Sequence, residues 1–552
     1  MKLVIVGGVA GGASAAARAR RLSGSAEIVM FERGPDVSFA NCGLPYYIGN
    51  EIQERDKLLV TKPSLLRGRY RIDVRTRTEV VAVDRSAKVV TARDLRDGSE
   101  TRESYDVLIL APGAAPWVPP IDGAGLPGVF TLRNLQDVDA IKAAVDGGAT
   151  RAAVVGAGFI GVELVENFLR RGLRTDVVEL QDQIIPVVDR EMATPLVEAM
   201  AARGATLHLR DSVESIRAID GGLALALKSG ATLSADLIVL GVGVRPENRL
   251  AADAGLEIGP RGGIRVDATM CTSDPSIYAV GDAVETREFP SGRPTQVPLA
   301  GPANRQGRIA ADAIFGREAS FRGVQATAIV GFFEHTLATT GKTEKALRGE
   351  GVDHAKVYIH ANHHAGYYPG AKPMSIKVLF EPGSGRLLGA QVAGSEGVAN
   401  RINVLATALQ AGMTVRDLTQ LELAYAPQFG SAKDPVNMAG FVASNVLDGQ
   451  DRQVHVEDLE SGRLRDALLI DVRTPSEFAG GSIPGAVNVP IDELRERLDE
   501  VPRGRLVVVH CQVGMRGYMA GLILREAGRE AYNLGGGYKT YRLHHPATNA
   551  HA

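Results

Sequence analysis

Lys2-Leu3-Val4-Ile5-Val6-Gly7-Gly8-Val9-Ala10-Gly11-Gly12 opens the chain, and Ala152-Ala153-Val154-Val155-Gly156-Ala157-Gly158-Phe159-Ile160-Gly161 repeats its plan. Each is a short apolar β-rich run that meets a glycine-rich turn and then a helical stretch, residues 13–22 in the first copy and up to about 171 in the second. A further apolar run follows each helix, at 27–31 and 175–180, with Glu32 and Glu179 at its end. Such a turn holds a pyrophosphate because glycine lets the backbone come close and the helix N-terminus offers free N–H donors and partial positive charge. The second copy, Gly156-x-Gly158-x-x-Gly161, matches the pattern fully. The first carries Val9 where the middle glycine is expected, surrounded by Gly7, Gly8, Gly11 and Gly12. Glu32 and Glu179 stand where a carboxylate accepts ribose hydroxyls. At the second site that charge repels a 2′-phosphate, favouring NADH over NADPH, although Arg174 and Arg190 nearby leave room for some NADPH use. One such motif is a weak signal. Two, each with its acid, predict two nucleotide sites and two parallel sheets.

Outward from these units, residues 106–113, ending Ala111-Pro112-Gly113, and residues 236–243 read as strands where the chain crosses between the two nucleotide domains and later returns. Residues 275–282, ending Gly281-Asp282, read as a strand back in the first domain. Asp282 is placed either to hold a polar sugar-alcohol chain or to cap a helix. From 323 to 447 the pattern changes: alternating runs at 375–380 and 387–392 predict an antiparallel sheet, and 400–411 a packed helix. Residues 448–453 are polar and read as a linker. Residues 454–545 alternate strands, at 467–471 and 506–510, with helical stretches, as a separate small α/β domain does. The predicted fold class is α/β: two Rossmann-like domains, 1–112 with 244–322 and 113–243, then an α+β domain, the linker, and the C-terminal α/β domain.

A length of 552 residues fits three or four domains. The net charge of −2 gives no general pull toward nucleic acid or anionic membranes, so neither is expected as a partner. No apolar stretch reaches about 18 residues, and the N-terminal run leads into a turn and an arginine-rich helix, unlike a signal peptide. Only Cys42, Cys271 and Cys511 are present, too few for a disulfide scaffold and without a CxxC pair for zinc or dithiol chemistry. A reducing cytoplasm, lone working thiols and no metal are expected. Cys271 has no basic or glycine-rich setting and reads as structural.

The order of the motifs over residues 1–445 resembles the two-dinucleotide flavoprotein disulfide reductases. The resemblance implies FAD at the first site, on Gly7, Gly8, Ala10, Gly11 and Gly12, with Glu32 and Arg33. It adds Ala111, Pro112 and Gly113, and it places Asp282, after Gly281, at the flavin's ribityl and phosphate region. It implies the nicotinamide nucleotide at Gly156, Gly158, Phe159, Ile160, Gly161 and Glu179, and a homodimer built on the 323–447 module.

Cys42 lies in Ser38-Phe39-Ala40-Asn41-Cys42-Gly43-Leu44-Pro45-Tyr46, with no second cysteine in reach. An internal redox disulfide is impossible there, so Cys42 forms a mixed disulfide with a substrate or a sulfenic acid. The stretch is similar to coenzyme A-disulfide reductases and to NADH-dependent persulfide and polysulfide reductases. Ala365-Gly366-Tyr367-Tyr368-Pro369-Gly370 and Ala424-Tyr425-Ala426-Pro427 carry the same likeness. It implies that Tyr367 and Tyr425 reach the active site of the partner subunit, where a phenol can protonate a leaving thiolate. Residues 423–428 offer no histidine base, so flavin contact and local dipoles are left to keep Cys42 a thiolate. The likeness further implies coenzyme A contacts from Ser14, Arg18, Arg21, Ser38, Asn41 and Asn304. Arginine forks suit its phosphates, although a solvated basic helix face is the plain alternative for the arginines.

Near the C-terminus, Leu469-Ile470-Asp471-Val472-Arg473-Thr474-Pro475, Gly481-Ser482-Ile483-Pro484-Gly485-Ala486, His510-Cys511-Gln512-Val513-Gly514-Met515-Arg516-Gly517 and Leu534-Gly535-Gly536-Gly537-Tyr538 resemble a single rhodanese domain. Backbone N–H groups of the loop and Arg516 form an anion nest suited to a Cys511 thiolate or persulfide. The expected function is reduction by NADH, through FAD and Cys42, of a coenzyme A disulfide, a persulfide or a polysulfide, releasing thiol and sulfide, with Cys511 handling sulfane sulfur. An NADH oxidase or peroxidase using a Cys42 sulfenic acid is the alternative enzyme, and a thiol redox sensor the alternative outside catalysis.

Overall fold

The computed structural model describes residues 1–289 and 291–546. The chain forms two compact units: residues 1–180 with 208–324, and residues 181–207 with the chain from 325 onward.

In the first unit the strands Ile277–Ala279, Val107–Leu110, Lys2–Val6, Glu27–Glu32 and Asp73–Thr76 lie side by side in that order, all parallel. Leu3, Val4 and Ile5 are fully buried, as are Leu108 and Ile109. A parallel strand covered on both faces needs a continuous apolar run rather than an alternating one, which is what these segments carry. The repeat builds the same motif: Arg174–Glu179, Arg151–Val155, Leu237–Leu240 and Val129–Phe130 are parallel neighbours. Residues 106–113 and 236–243 thus supply matching strands in the two sheets, as their sequences predict.

Each nucleotide domain also carries a three-stranded antiparallel sheet, Thr78–Asp84, Val89–Asp94 and Glu100–Ser104 in one, Val213–Ile219, Gly222–Leu227 and Thr232–Ala235 in the other. The sequence reading passes over both. Their alternating residues are short and half exposed, so the period-two signal is weak beside the glycine turns.

In the second unit Ala328–Phe332, His335–Gly341, Leu387–Gly394, Pro373–Phe380 and Ala355–Asn362 form an antiparallel sheet. The helices Val398–Gln410 and Pro435–Leu447 cover it through Ile402, Leu405, Val436 and Ala439. The C-terminal part is a parallel sheet ordered Gln453–Val454, Ala531–Leu534, Val507–His510, Leu468–Asp471 and Val487–Asn488. Among the described residues no helix is long and apolar enough to cross a membrane.

Candidate active site

The two glycine turns have one geometry. Gly7 and Gly156 take positive φ, 98° and 101°, where a side chain would strike the backbone oxygen of Ala111 or Gly241 at 2.1 and 2.5 Å. At Gly12 and Gly161 a Cβ would sit 1.9 and 2.0 Å from the oxygens of Gly7 and Gly156, so only glycine lets each helix start this close to its strand. The helices are Ala10–Leu22 and Phe159–Arg170, and neither has a side-chain cap. Their first-turn N–H groups are therefore left for a phosphate. The first helix begins three residues before the sequence reading places it, because Gly11 and Gly12 belong to its first turn. Gly11 and Gly307 form the close crossing with the helix Ala300–Ile314, where a Cβ on Gly307 would lie 2.2 Å from the oxygen of Gly11.

The acids repeat as well. Glu32 accepts from the N–H groups of Gly8 and Gly34, each at 2.8 Å, and Glu179 accepts from Ala157 N–H at 2.8 Å. Burial raises the Glu32 carboxyl above its ordinary value. Each acid is thereby pinned at its turn. Arg33 is paired with Glu247 at 2.6 Å, and Glu247 also takes Arg133 at 2.5 Å. Phe159 and Ile160 stand in the first turn of the second helix, Ile160 exposed. Asp282 lies in the short turn Gly281–Ala283, which Gln306 holds by accepting from Gly281 N–H at 2.8 Å. Its carboxyl is raised by burial and has no hydrogen-bond partner among the described residues. That unspent acceptor fits a polyhydroxyl chain better than the helix-capping alternative. With the uncapped helix Ala10–Leu22 and pinned Glu32, it fits the first site to a flavin dinucleotide.

Cys42 lies in the turn Asn41–Gly43, immediately before the helix Leu44–Ile48. The turn is tied down by Ser38 N–H to Gly8 O (2.8 Å) and Ala40 N–H to Leu58 O (2.8 Å), so the glycine turn and the thiol segment share a backbone link. Cys42 is exposed as a residue, yet partial burial of its sulfur raises the thiol pKa, and the carboxylates of Glu163 and Asp282 push the same way. These protein groups thus oppose the thiolate that the sequence reading asks for. Glu163 was not singled out from sequence, although it stands two residues beyond Gly161. Tyr46 donates to its Oε1 at 3.2 Å.

Among the residues expected to touch coenzyme A, Ser14 Oγ donates to Asn304 Oδ1 at 2.5 Å, and Asn41 donates to Arg133 O at 2.9 Å. Arg18 is paired with Asp312 at 2.5 Å, so its charge is largely answered within the protein, whereas Arg21 has no partner among the described residues. Ser14, Arg18, Arg21 and Asn304 thus come together on the crossed helices, with Ser38 and Asn41 in the Cys42 segment.

In the second unit, Tyr367 and Tyr425 join hydroxyl to hydroxyl at 2.9 Å, with side chains 76% and 49% exposed. Ala365 N–H to Gly430 O (2.9 Å) ties their segments, and Arg401 fastens the pair by donating to His363 O and Asp434. Both rings thus stand at the surface of the second unit.

The buried Cys511 ends the strand Val507–His510, and Gly514 N–H points at its sulfur from 3.2 Å. Gly514, at φ 102°, turns the chain into the helix Met515–Glu526, which has no side-chain cap. Arg516 is held at the loop by two 2.7 Å bonds to Glu477, whose carboxyl Arg516 draws down to about 2. Arg473, stacked 4.4 Å from the Tyr538 ring, bonds Asp471, Gly481 O and Gln512. Tyr538 and Lys539 N–H groups close the loop from behind onto the oxygens of Cys511 and Gln512. Burial lowers His510 to about 4, so it stays neutral beside the thiol. Glu477 and Arg473 were not singled out from sequence as loop supports. Cys271 is half-buried, and its sulfur lies 3.7 Å from Asp274 O, a structural setting.

Asp189, Glu191 and Glu344 converge as a metal site would, but the ammonium of Lys377 sits among them at 2.9, 2.6 and 2.6 Å and supplies the positive charge. Lys356 links Glu344 to Glu457 of the C-terminal domain at 2.9 and 2.7 Å.

Paired dinucleotide turns, a lone exposed thiol after the first, and a second thiol in a glycine loop define a pyridine-nucleotide reductase joined to a sulfur-handling domain. Residues 1–307 match the pyridine nucleotide-disulphide oxidoreductase model, 327–435 its dimerisation domain and 454–544 the rhodanese-like domain, and the chain belongs to the pyridine nucleotide-disulphide oxidoreductase family. It is 35% identical over 453 residues to the coenzyme A disulfide reductase of Staphylococcus haemolyticus, covering 81% of this chain and 100% of that protein. The structure of reduced CoADR-RHD from Bacillus anthracis superposes with a TM-score of 0.96 at 46% identity over 98% of both chains. An NAD-dependent persulfide reductase from A. fulgidus gives 0.92 at 39% identity, over 98% of this chain and 100% of that one.

Proposed function

We propose that this chain is an FAD-dependent reductase that uses NADH, and secondarily NADPH, to reduce coenzyme A disulfide, coenzyme A persulfide or a polysulfide through Cys42. The observation that carries this is the solitary, exposed Cys42 beside the first nucleotide turn, with Cys271 and Cys511 as the other free cysteines. The family, and the printed activities of the staphylococcal and A. fulgidus relatives, support it.

Bound FAD would supply two electrons received from NADH as hydride. The Cys42 thiolate attacks a sulfur of the substrate: a Cys42–sulfur bond forms, the substrate S–S bond breaks, and coenzyme A thiolate or hydrosulfide leaves. The two electrons then cleave the bond to Cys42, restoring its thiolate, and one proton completes the released thiol. The glycine turns bind the nucleotides' phosphates, Glu32 and Glu179 orient riboses, and Glu179 disfavours a 2′-phosphate. Arg18, Arg21, Ser14, Ser38, Asn41 and Asn304 hold coenzyme A, Arg21 with a charge that has no partner among the described residues. The enzyme works as a homodimer in which Tyr367 and Tyr425 are turned toward the partner subunit's thiol and protonate the leaving group. Their pairing and exposure support this. Cys511, cradled by its loop and Arg516, carries sulfane sulfur to or from the same substrate pool. The boundaries proposed with it are 1–112 and 244–322 for FAD, 113–243 for NAD(P)H, 323–447 for dimerisation, 448–453 for the linker and 454–545 for the rhodanese domain.

The test is steady-state NADH consumption with a panel of coenzyme A and glutathione disulfides and persulfides, with sulfide measured alongside. Turnover with coenzyme A substrates supports the proposal. Rapid turnover with oxygen or peroxide alone would replace it with the oxidase reading.

A further inference from the structure

We propose that Asp451, in the stretch 448–453 that leads into the rhodanese-like domain, is a positioning residue of the sulfur-transfer site: through Asn533 it holds the carbonyl of Gly514 and so keeps the Gly514 N–H aimed at the Cys511 sulfur. This rests on the reading of Cys511 as the thiol that carries sulfane sulfur.

Gly514 N–H reaches Cys511 Sγ at 3.2 Å from a backbone at φ 102°. Glycine permits that conformation without enforcing it, so the aim of the N–H depends on what holds the residue. On the carbonyl side the holder is Asn533. Its Nδ2 donates to Gly514 O at 3.2 Å and, with its other hydrogen, to the two oxygens of Asp451 at 3.2 and 3.3 Å. The amide's orientation follows from these partners, since both only accept. Asn533 and Asp451 are 1% and 4% exposed, so water does not stand in for either bond. At its other end, Asn533 Oδ1 lies against Gly517, where a Cβ would come within 2.3 Å, and it has no hydrogen-bond partner among the described residues. A buried acceptor left unspent costs stability, which sets Asn533 apart from a residue placed for stability alone.

Asp451 is itself fixed from both sides. Gln453 Nε2 donates to its carboxylate at 2.7 Å. The N–H groups of Asp451 and Gln450 both donate to Asn445 O, on the helix Pro435–Leu447, at 3.0 and 2.9 Å. Arg525, on the helix that follows the Cys511 loop, donates to Gln450 O at 2.6 Å and is the cation that acts on Asp451. Asn533 N–H donates to Arg452 O at 2.8 Å, where Gln453–Val454 pairs with Asn533 and Leu534. A continuous run of hydrogen bonds thus leads from the end of the helix Pro435–Leu447, through Asp451 and Asn533, to the glycine whose N–H faces the thiol. The charged pairs of the loop, Arg516 with Glu477 and Arg473 with Asp471, lie outside this run.

The experiment is the pH dependence of the first sulfur-loading turnover of the FAD-loaded enzyme with excess thiosulfate. The Cys511 thiolate attacks the outer sulfur of thiosulfate, a Cys511–sulfur bond forms as the S–S bond of thiosulfate breaks, and sulfite leaves as the dianion, so sulfite release reports the thiolate. Asp451→Asn and Asp451→Ala both remove the charge. Only asparagine keeps an oxygen for Asn533, its amide meeting the unspent Gln453 Oε1 once that side chain turns. Asn533→Ala removes the relay itself. Asp451→Asn is expected to follow wild type. Asp451→Ala and Asn533→Ala should move the acid limb up by about one pH unit and slow loading about tenfold on that limb, the worth of one hydrogen bond to a charged group, with half-saturation by thiosulfate unchanged. Loss of charge alone would move the limb the other way, to lower pH. Alanine profiles that match wild type or move down, or an Asp451→Asn profile that moves up as far as Asp451→Ala, would overturn the inference. FAD content and amide protection of Val507–His510 control for folding. If one alanine variant loses that protection, the other decides by the same criterion. Loss in both would also overturn the inference, since the pair would then hold the domain rather than the loop. Sulfite release that persists in Cys511→Ser would instead remove the reading of Cys511 as the sulfur carrier.

Discussion

Replacing Lys377 by methionine isolates the energetics of the second unit. Its ammonium, 1% exposed, touches Asp189, Glu191 and Glu344 within 2.9 Å. What remains in the variant is Lys356 and Arg348 on Glu344, the Tyr358 hydroxyl on Glu191, and Gln391 with two backbone N–H groups on Asp189. Three buried carboxylates then share one lysine and one half-exposed arginine, both on Glu344 and both also claimed by Glu457, and Asp189 and Glu191 keep no cation from this set. Breaking a buried ion pair from one side costs about 3–5 kcal/mol, because a charge is left uncompensated. Exchange of the amides of Pro373–Phe380 should accelerate by about two to three and a half orders of magnitude, at ~1.4 kcal/mol per tenfold. The pH dependence has a definite sign. In wild type, against burial that raises it, Lys377 and Lys356 hold the Glu344 carboxyl well below its ordinary 4.5, so its stabilisation is present above pH 4.5 and fades as pH falls further. In the variant burial is no longer opposed by Lys377 at Glu191 and Glu344, so these two carboxyls rise, and the deficit is full at high pH and shrinks as pH falls from 8 toward 5. The assay is hydrogen exchange by mass spectrometry, corrected for intrinsic rates. Exchange unchanged within fivefold, or a deficit that widens on acidification, would refute the reasoning.

A methyl group at Gly161 meets the oxygen of Gly156 at 2.0 Å, so Gly161→Ala should raise the KM for NADH by about a hundredfold, or ~2.7 kcal/mol. FAD content and reduction by dithionite should be unaffected, which absorbance checks. Glu179→Ala removes the charge that opposes a 2′-phosphate, and the ratio of kcat/KM for NADPH over NADH should rise about tenfold, measured by parallel steady-state runs. Cys511→Ser should abolish thiosulfate–cyanide sulfur transfer while NADH-driven reduction of coenzyme A disulfide stays within about twofold, since the two thiols do separate chemistry.

The nucleotide turns were legible because their demand is local: a glycine where a Cβ would strike the strand's own carbonyl, and an acid at the end of the next strand. The rhodanese loop was legible for the same reason, since Gly514 both reverses the chain and aims its N–H at Cys511. Partners distant in sequence were not. Nothing around Arg18 announces Asp312, which reaches it through the glycine crossing of two helices, and nothing around Arg516 announces Glu477. Glu163 stands beside the second glycine turn, but its partner Tyr46 lies 117 residues away, which a linear sequence does not display. Lys377 is hidden in a strand that reads as apolar, because its carboxylates come from two segments distant in sequence, Asp189 with Glu191 and, far beyond them, Glu344.

The account stands on a covalent bond between Cys42 and the substrate's sulfur. Anaerobic holoenzyme, reduced with one equivalent of NADH and then treated with excess coenzyme A disulfide, is quenched in acid and its peptides are weighed. The account predicts one coenzyme A on the Cys42 peptide, removed by dithiothreitol and absent in Cys42→Ser, which should also release no sulfide from coenzyme A persulfide. An unmodified Cys42 peptide together with undiminished turnover in Cys42→Ser would contradict it.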